Sequence, residues 1–254
     1  MFATTLNTQD IHAILFDMNG TLRYRIPDET WQRQSAAQLL TMLGKPDAPA
    51  SSFIDELTRR YKSYIQWANE HEVGLSETEI WTKWMTPELP RERIEPQATE
   101  LMLVWRNRNG RTVLKPDAIK TITELSRRGY RLGVISNTTC TADLPRFIAE
   151  CGLTEYFQVV ILSAVSGYRK PSPEIFWQAT RAMDIVPARC AYLGNKISSD
   201  VVGSRKAGFG MAMIVESLDK PHEDERNQAA KPDAVIHALS ELLDIFLPRV
   251  RFQN

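Results

Sequence analysis

The sequence contains few cysteines, and none of them are paired at the spacing of a redox or zinc motif. Its 254 residues include three, Cys140, Cys151 and Cys190, which lie too far apart for a zinc knuckle or a dithiol pair. An odd number of cysteines also argues against a framework of disulfides. We therefore expect three reduced, structural thiols that take no part in the chemistry.

Long apolar runs are also absent. No segment approaches the about 20 consecutive apolar residues that a membrane span requires. The first residues, MFATTLNTQD, lack the basic and then apolar pattern of a secretion signal. The sequence predicts a cytoplasmic protein without a membrane partner.

The sequence has no excess of either charge. Lys and Arg together number 31, as do Asp and Glu, and the two signs alternate along the chain. Proteins that bind nucleic acids or anionic membranes usually present a basic face or tail. The charge balance argues against both classes, and we expect a small-molecule substrate and no nucleic-acid partner.

Short apolar runs alternate with helical stretches from residue 130 onward, and one more apolar run lies near the start. This alternation is typical of a parallel sheet covered by helices on both faces. We expect six strands, at 12–16, 130–135, 158–163, 190–193, 210–215 and 233–236. The predicted fold class is α/β, with a Rossmann-like parallel sheet as its core.

Residues 24 to about 112 show a different pattern, without a convincing strand. Polar and apolar residues there recur at helical spacing, as in SSFIDELTRRYKSYIQWANE. The pattern predicts an α-helical domain inserted into the sheet domain. Because aromatic side chains bury large areas, we expect its tryptophans to fill a core rather than line a pocket. They are Trp31, Trp67, Trp81, Trp84 and Trp105.

The stretch AILFDMNGTL, residues 13 to 22, supports two interpretations. Asn19-Gly20 between apolar runs is a strong hairpin signal, with TLRYRI as the returning strand. In the other interpretation Asp17 is a nucleophile at the tip of the first strand. The residues that follow the other strands distinguish the two.

Polar residues follow four of the predicted strands. Asp17 follows the first, Ser136 and Asn137 follow the second, Lys170 lies beyond the third, and Asp200 follows the fourth within LGNKISSD. In a sheet of this kind, ligands bind outside the carboxyl ends of the strands. Two carboxylates, a hydroxyl and an ammonium at that edge indicate a phosphate-handling site.

These segments, in this order and spacing, resemble the four motifs of the haloacid dehalogenase superfamily of hydrolases. The motif segments are DMNGTL, ISNTT, RKPSPEIF and LGNKISSDVVGSRKAGFGM. The likeness covers nearly the whole chain, because the inserted helices resemble the cap domain of that superfamily's first structural class. It implies a sheet core formed by residues 1–23 and 113–254, a helical cap formed by 24–112, and a small β flap after the nucleophile.

The resemblance also implies roles for single residues. Asp17 would attack the substrate and form a covalent aspartyl intermediate. Ser136 would bind oxygens of the transferred group, and Lys170 would offset its negative charge. The family pattern further places a catalytic residue at Asn19, substrate-binding residues at Gly20, Thr21 and Asn137, and a Mg²⁺ site at Asp17, Asn19, Asn195 and Asp200.

Two amides stand where the superfamily's phosphatases have acids. Asn19 replaces the Asp that protonates the leaving oxygen and later activates water. General acid-base catalysis of this kind is worth ~10²–10⁴-fold, and an amide does not supply it. Asn195 replaces a carboxylate ligand of Mg²⁺, which removes a gross attraction on the order of 4 kcal/mol. We expect a weakened acid-base step and a weakened metal site.

Three functions are compatible with these departures. The first is a phosphatase that acts on a small phosphorylated metabolite through an aspartyl-phosphate. The second is a metal-independent dehalogenase, because the superfamily's dehalogenases also lack the second Asp of the first motif and carry Asn in the fourth. The arginine with which those dehalogenases bind the substrate carboxylate cannot be located here by a motif. Arg59 and Arg60 are the candidates for it, but we expect them on a solvated helix face. The third is a non-enzymatic relative that binds a phosphorylated ligand or a protein partner, or a variant whose two acids were changed to trap a ligand.

The family resemblance also predicts a cap that opens and closes over the site. Such a motion excludes water in the first half-reaction and admits it in the second. We expect the hinges near residues 23–26 and 108–113, where the chain leaves and re-enters the core.

Overall fold

A computed structural model of the protein describes residues 8–216 and 230–249. Six strands form one sheet in the order β5-β4-β1-β6-β7-β8, and all neighbouring strands run parallel. The strands are β1 (Ala13–Phe16), β2 (Arg23–Ile26), β3 (Arg111–Leu114), β4 (Arg131–Ser136), β5 (Phe157–Leu162), β6 (Cys190–Gly194), β7 (Met211–Val215) and β8 (Ala234–Ile236). The six predicted strands are all present, and the predicted α/β fold with a Rossmann-like core is confirmed.

The α-helices account for most of the remaining regular structure in the described ranges. They are α1 (Glu29–Met42), α2 (Ala50–Glu70), α3 (Glu77–Ile80), α4 (Arg91–Ile94), α5 (Ala98–Asn107), α6 (Ala118–Arg127), α7 (Asp143–Glu150), α8 (Ser163–Ser166), α9 (Pro173–Ala182), α10 (Val202–Lys206) and α11 (Leu242–Ile245). Two π-helical turns, Trp81–Met85 and Ile197–Val201, precede α4 and α10. No helix of residues 8–216 and 230–249 is long and apolar enough to cross a membrane.

The central strand β1 is buried on both faces of the sheet. Its alternate residues face two different cores, with Ile14 and Phe16 in the larger and Ala13 and Leu15 in the smaller. This follows from the period of two in a strand. Helices α6 and α7 supply the larger core, and α9 supplies the smaller. An apolar core thus covers each face of the sheet, and the carboxyl edge of the sheet is available for a site.

Helices α1 to α5 surround a separate apolar core. Trp81 and Trp105 are fully buried in it, and Trp67 and Trp84 pack against it. The core-filling prediction is correct for these four. It is wrong for Trp31, which is 38% exposed and lines a cavity together with Leu103 and Phe147.

The strands β2 and β3 form an antiparallel ribbon outside the main sheet. The expectation of no strand in residues 24–112 is therefore wrong at the two ends of that range. The hairpin interpretation is also wrong in its pairing, because β2 pairs with β3 and not with β1. Gly110 permits the close approach, since a Cβ there would lie 2.1 Å from the carbonyl oxygen of Ile26.

The sequence-based domain ranges extend beyond the described residues at three places. Residues 1–7, 217–229 and 250–254 of the expected sheet domain lie outside the ranges that the structure describes. The chain passes from the sheet into the helical segment along β2 and returns along β3. The expected boundaries, at residues 23 and 113, both fall within this ribbon.

Candidate active site

Asp17 lies directly after the central strand β1, at the carboxyl edge of the sheet. Its backbone N–H donates to the carbonyl of Leu193 in β6, which continues the strand pairing by one residue. Its side chain is largely buried, with 6% of the residue exposed. The carboxylate is therefore held in place at the end of the buried central strand.

Lys170 connects the two carboxylates of the site. Its Nζ lies 2.8 Å from Oδ1 of Asp17 and 2.7 Å from Oδ1 of Asp200. The same ammonium contacts the hydroxyl of Tyr192 at 2.8 Å and the carbonyl of Ile135 at 3.1 Å. The structure thus brings together three residues that the sequence placed after three different strands.

Asp200 is placed by the π-helical turn Ile197–Val201. Its Oδ2 accepts the backbone N–H groups of Asn195 and Lys196, each at 3.0 Å. Gly194 is required beside it, because a Cβ there would lie 2.3 Å from Cγ of Asp200. Both oxygens of Asp200 are therefore occupied by protein donors, and this carboxylate organises the loop and Lys170.

Burial and charge act in opposite directions on the ionisable groups of this site. Burial raises the pKa of Asp17, and the ammonium of Lys170 opposes that shift. Burial lowers the pKa of Lys170, but the charges of Asp17 and Asp200 outweigh it, and the net shift is upward. Burial also raises the pKa of Tyr192 well above its usual range. Lys170 is therefore a permanent cation beside Asp17.

Asn19 lies next to Asp17, and Arg23 fixes the orientation of its side chain. Nε of Arg23 donates to Oδ1 of Asn19 at 2.9 Å. Arginine has only donors, so the atom that faces it must be the amide oxygen. Arg23 is in turn held by Asp143 in a buried ion pair of 2.6 Å. The NH₂ group of Asn19 is thereby left for a ligand in the cavity that Asn19 lines.

The other predicted residues lie around Asp17 with different surroundings. The hydroxyl of Ser136 is buried and has no hydrogen-bond partner among the described residues. Thr21 is buried, and its hydroxyl lies 3.5 Å from Oδ2 of Asp17. Asn137 donates to the carbonyl and accepts from the N–H of Lys170, at 3.0 and 2.9 Å. It therefore holds the backbone of the loop that carries Lys170.

Gly20 contributes space and a backbone turn. Its φ is +88°, a conformation that L side chains rarely adopt. A Cβ on Gly20 would also lie 2.2 Å from Nδ2 of Asn195. Glycine is therefore what permits the loop after β1 and the loop after β6 to approach each other.

A cavity of about 410 Å³ opens above these groups. Residues from the sheet edge, the loop before α9 and helix α2 line it. They include Asp17, Asn19, Ile65, Asn69, Asn137, Arg169, Lys170, Asn195, Lys196 and Asp200. Six of the nine predicted site residues thus line one cavity, of a size suited to a small molecule, whereas Gly20, Thr21 and Ser136 are not among its lining residues.

Comparison with known proteins places this site in a family. The family model for haloacid dehalogenase-like hydrolases matches residues 11–208, which carry every residue of the site. The chain belongs to the haloacid dehalogenase-like hydrolases. This hydrolase is 32% identical over 130 residues to the glyceraldehyde 3-phosphate phosphatase of Methanothermobacter thermautotrophicus, which covers 51% of the chain and 57% of that relative. The alignment thus spans little more than half the length of this relative.

Other relatives match the hydrolase over nearly its whole length. The phosphoglycolate phosphatase of Nitrosococcus oceani is 26% identical, and the alignment covers 91% of the chain and 95% of that relative. A solved structure of 2-haloacid dehalogenase from Pseudomonas syringae pv. Tomato superposes with a TM-score of 0.66 at 21% identity, covering 92% of the chain and 97% of that structure. At 21% identity, the likeness to this dehalogenase structure concerns the fold alone.

Two arginines that the sequence singled out lie outside the cavity of this hydrolase. Arg59 pairs with Glu56, and Arg60 pairs with Glu56 and Glu88. A different arginine, Arg169, lines the cavity and was not identified from the sequence. Its position directly before Lys170 in RKPSPEIF is the signal that would have found it.

Proposed function

We propose that this hydrolase cleaves a phosphate ester of a small metabolite through an aspartyl-phosphate on Asp17. The observation that carries the proposal is the cluster in which Lys170 bridges Asp17 and Asp200 at the carboxyl edge of the sheet. The names of the relatives, glyceraldehyde 3-phosphate phosphatase and phosphoglycolate phosphatase, support the substrate class.

In the first half-reaction, a carboxylate oxygen of Asp17 bonds to phosphorus and the ester P–O bond breaks. The electron pair of that bond leaves with the substrate oxygen, which takes its proton from water. The NH₂ group of Asn19 donates a hydrogen bond to the leaving oxygen without transferring a proton. Lys170 offsets the negative charge on the phosphoryl group.

In the second half-reaction, water attacks the aspartyl-phosphate, the Asp17–phosphoryl bond breaks, and the proton of the attacking water passes to solvent, which replaces the proton taken from water in the first half-reaction. Inorganic phosphate leaves, and the carboxylate of Asp17 is restored. Asn19 has no basic site that would accept the proton of the attacking water. We therefore propose that this step is slower than in phosphatases that have a carboxylate at this position.

The oxygen atoms of the site fit Mg²⁺, which prefers such hard ligands. Lys170 binds Oδ1 of Asp17, whereas Oδ2 lies 3.5 Å from the hydroxyl of Thr21 and is the oxygen that would face the ion. Asn195 would supply its amide oxygen and Asn19 its backbone carbonyl, whereas both oxygens of Asp200 are engaged by protein donors. When bound there, Mg²⁺ supplies neutralisation of the phosphoryl charge. We propose that these residues, with one free carboxylate oxygen among them, hold the ion weakly.

We also propose the division of the chain that the resemblance implies. Residues 1–23 and 113–254 act as the catalytic core, and residues 24–112 act as its cap. The separate apolar core of helices α1 to α5 supports this division. The cap would supply the wall of the cavity formed by Ile65 and Asn69 of α2.

A second candidate is a dehalogenase that acts on a 2-haloacid. The observation that favours it is Arg169, a buried arginine in the cavity that has the charge to bind a carboxylate. In that reaction Asp17 would displace halide from carbon, and the leaving ion would need no proton.

One set of assays separates the candidates. We expect phosphate release from acetyl phosphate and 4-nitrophenyl phosphate, stimulated by millimolar Mg²⁺, and no chloride release from 2-chloropropionate. Asp17→Asn should abolish phosphate release, whereas Asp47→Asn, at an exposed loop carboxylate, should not change it. Chloride release without phosphate release would replace the first candidate by the second, and no release in any assay would contradict both.

A further inference from the structure

Arg169 is a buried cation on the cap side of the cavity. It lies in the loop between α8 and α9, and only 7% of the residue is exposed. Its Nε donates to Oδ1 of Asn69 in α2 at 2.7 Å. Its backbone N–H donates to the carbonyl of Glu72 at 2.9 Å. Both its backbone and its side chain are therefore anchored on the helical segment.

This guanidinium has no carboxylate partner in the part of the chain that the structure describes. Residues 8–216 and 230–249 place no carboxylate oxygen within 4.0 Å of it. Its Nη1 is buried without any hydrogen-bond partner in these ranges. Burial lowers the pKa of Arg169, Tyr64 and Tyr61 oppose that shift, and the charge of Arg106 adds to it.

The surrounding acids are already engaged. Asp143 forms its 2.6 Å ion pair with Arg23 and lies 3.9 Å from Arg106. Asp17 and Asp200 both bind Lys170. Buried charges in proteins are normally paired, because an uncompensated one is costly to remove from water. Arg169 therefore requires a negative charge that the described residues do not supply.

The cavity places this arginine opposite the reacting end of a ligand. Lys170 contacts Asp17 on the sheet, whereas its neighbour Arg169 contacts Asn69 on α2, so the two adjacent cations lie on different walls. A phosphate ester at Asp17 would use Lys170. Arg169 would remain free for the far end of the same molecule.

We infer that Arg169 binds a second anionic group of the substrate, so the preferred substrates are phosphate esters that carry a carboxylate or a second phosphate at the other end. This inference rests on the proposed phosphatase function and names its substrate class. A planar guanidinium suits either group, because it donates two parallel hydrogen bonds to an oxyanion.

The test compares substrates that differ only in the second charge. Phosphoglycolate is compared with ethyl phosphate, and propane-1,3-diol bisphosphate with propyl phosphate, so that the first pair reports on a carboxylate and the second on a phosphate. We expect the wild type to favour the charged member of at least one pair by about 10- to 100-fold in kcat/KM, as for a hydrogen bond to a charged group. Arg169→Met should bring this ratio close to 1, and Arg169→Lys should restore part of it.

Controls and a binding measurement make the outcome decisive. Arg181→Met, at an arginine of α9 that is 64% exposed, should keep the wild-type ratio. Calorimetric titration of wild type, Arg169→Met and Asp17→Asn with the same four compounds reports binding without turnover. Selective binding that Arg169→Met removes supports the inference even if turnover is absent, in which case only the phosphatase proposal fails. A wild type that binds and turns over both members of each pair equally would overturn the inference, as would an unchanged ratio in Arg169→Met.

Discussion

The sequence revealed the residue type at position 19 but not the orientation of the Asn19 side chain. The residue type, an amide in place of an acid, was evident from DMNGTL. Its orientation was not, because it depends on Arg23 and on the buried ion pair of Arg23 with Asp143 in α7. The amide is held as a hydrogen-bond donor toward the cavity. An acid introduced at position 19 would lie beside a guanidinium, which favours its ionised form.

The identity of residue 19 should control the dependence on the leaving group. Without a proton donor, the departing oxygen must carry its own charge, so the wild type should prefer 4-nitrophenyl phosphate strongly over an alkyl phosphate. In Asn19→Asp we expect this preference to fall by about 10²-fold, the low end for an acid catalyst, because Arg23 keeps the new carboxylate largely ionised. Ratios of kcat/KM measure it.

Asn107→Asp, at an amide that lines a different cavity, is the matched control and should leave the preference unchanged. If Asn19→Asp also leaves the preference unchanged, the amide is not adjacent to the leaving oxygen.

The buried ion pair of Arg23 and Asp143 should contribute to stability as well as to orientation. Asp143→Asn leaves Arg23 and Arg106 without a carboxylate within 4.0 Å among the described residues. Removing one partner of a buried pair costs about 3–5 kcal/mol, and we expect the low end because asparagine keeps a hydrogen-bond acceptor. Urea unfolding at constant m-value measures the change in the free energy of unfolding.

Glu95→Gln removes a partner of the exposed pair with Arg91 and should give no measurable change. A loss in Asp143→Asn that is no larger than in Glu95→Gln would show that the buried pair does not stabilise the fold.

The sequence predicted Asp17, Lys170 and Asp200 at one sheet edge, and their separations of 2.8 and 2.7 Å agree with that placement. It did not predict Arg169 or Tyr192. Both depend on contacts between residues far apart in the chain: Arg169 on Asn69 of α2, and Tyr192 on Lys170. Local patterns identify residues that follow a strand. They do not show which distant helix covers them.

At the scale of elements, the strands of the main sheet were predictable and the ribbon was not. Each main strand is a compact apolar run between turns, which is a strong local signal. The strands β2 and β3 are short, half polar and mostly not buried, and the whole helical segment separates them in the sequence. The local hairpin signal at Asn19-Gly20 therefore suggested the wrong partner. The turn at Asn19-Gly20 is present, and it brings Gly20 close to the side chain of Asn195.

The turn after β6 should be intolerant of any side chain. In Gly194→Ala the new Cβ would lie 2.3 Å from Cγ of Asp200, so Asp200 must move away from Lys170 and from the N–H groups it accepts. We expect activity to fall by at least about 10²-fold, because Asp200 would no longer hold the ammonium of Lys170 beside Asp17. Steady-state kinetics and the melting temperature are measured together.

Gly152→Ala is the control that separates the displacement of Asp200 from the backbone strain of a glycine-to-alanine change. Gly152 follows α7 at φ +67° with no atom within 4 Å of a built Cβ, so alanine there meets only the backbone penalty, roughly 1–2 kcal/mol. It should lower the melting temperature and keep kcat. A Gly194→Ala enzyme that loses stability but keeps kcat, as expected of Gly152→Ala, would contradict the role given to Asp200.

At the scale of the whole molecule, the helical segment meets the sheet part through polar contacts and through Cys140 and Ala142, which pack into the apolar core of the helices. The carboxylate of Glu77 accepts from the N–H and the hydroxyl of Thr141, both at 2.7 Å. The hydroxyls of Tyr61 and Thr139 lie 2.9 Å apart. Val73 and Tyr168 form an antiparallel bridge. Such contacts rearrange more easily than an apolar core, which is consistent with the prediction of a moving cap.

The bridge between Val73 and Tyr168 offers a direct test of cap motion. The N–H of Gly74 donates to Gly167 and that of Arg169 to Glu72, so residues 73 and 168 form a close pair. The Cα atoms of such a pair are about 4.5 Å apart, within the range of about 4.4–6.8 Å for a disulfide. We expect oxidation of the Val73→Cys, Tyr168→Cys double variant to lower kcat by at least about tenfold, because the predicted cap would have to open for substrate entry and product release.

A reductant should restore the rate, and mass analysis should show the new disulfide. The native thiols interfere little, because burial raises the pKa of Cys140 to about 11 and of Cys190 to about 12, which keeps both protonated at neutral pH. Each single variant, treated with the same oxidant, controls for the substitutions and for Cys151. If the cross-linked protein turns over substrate at the rate of the reduced protein, the cap does not need to open at this bridge. If turnover is slow only in the cross-linked state, as expected, the cap moves relative to the sheet part where α2 meets the loop that carries Arg169 and Lys170.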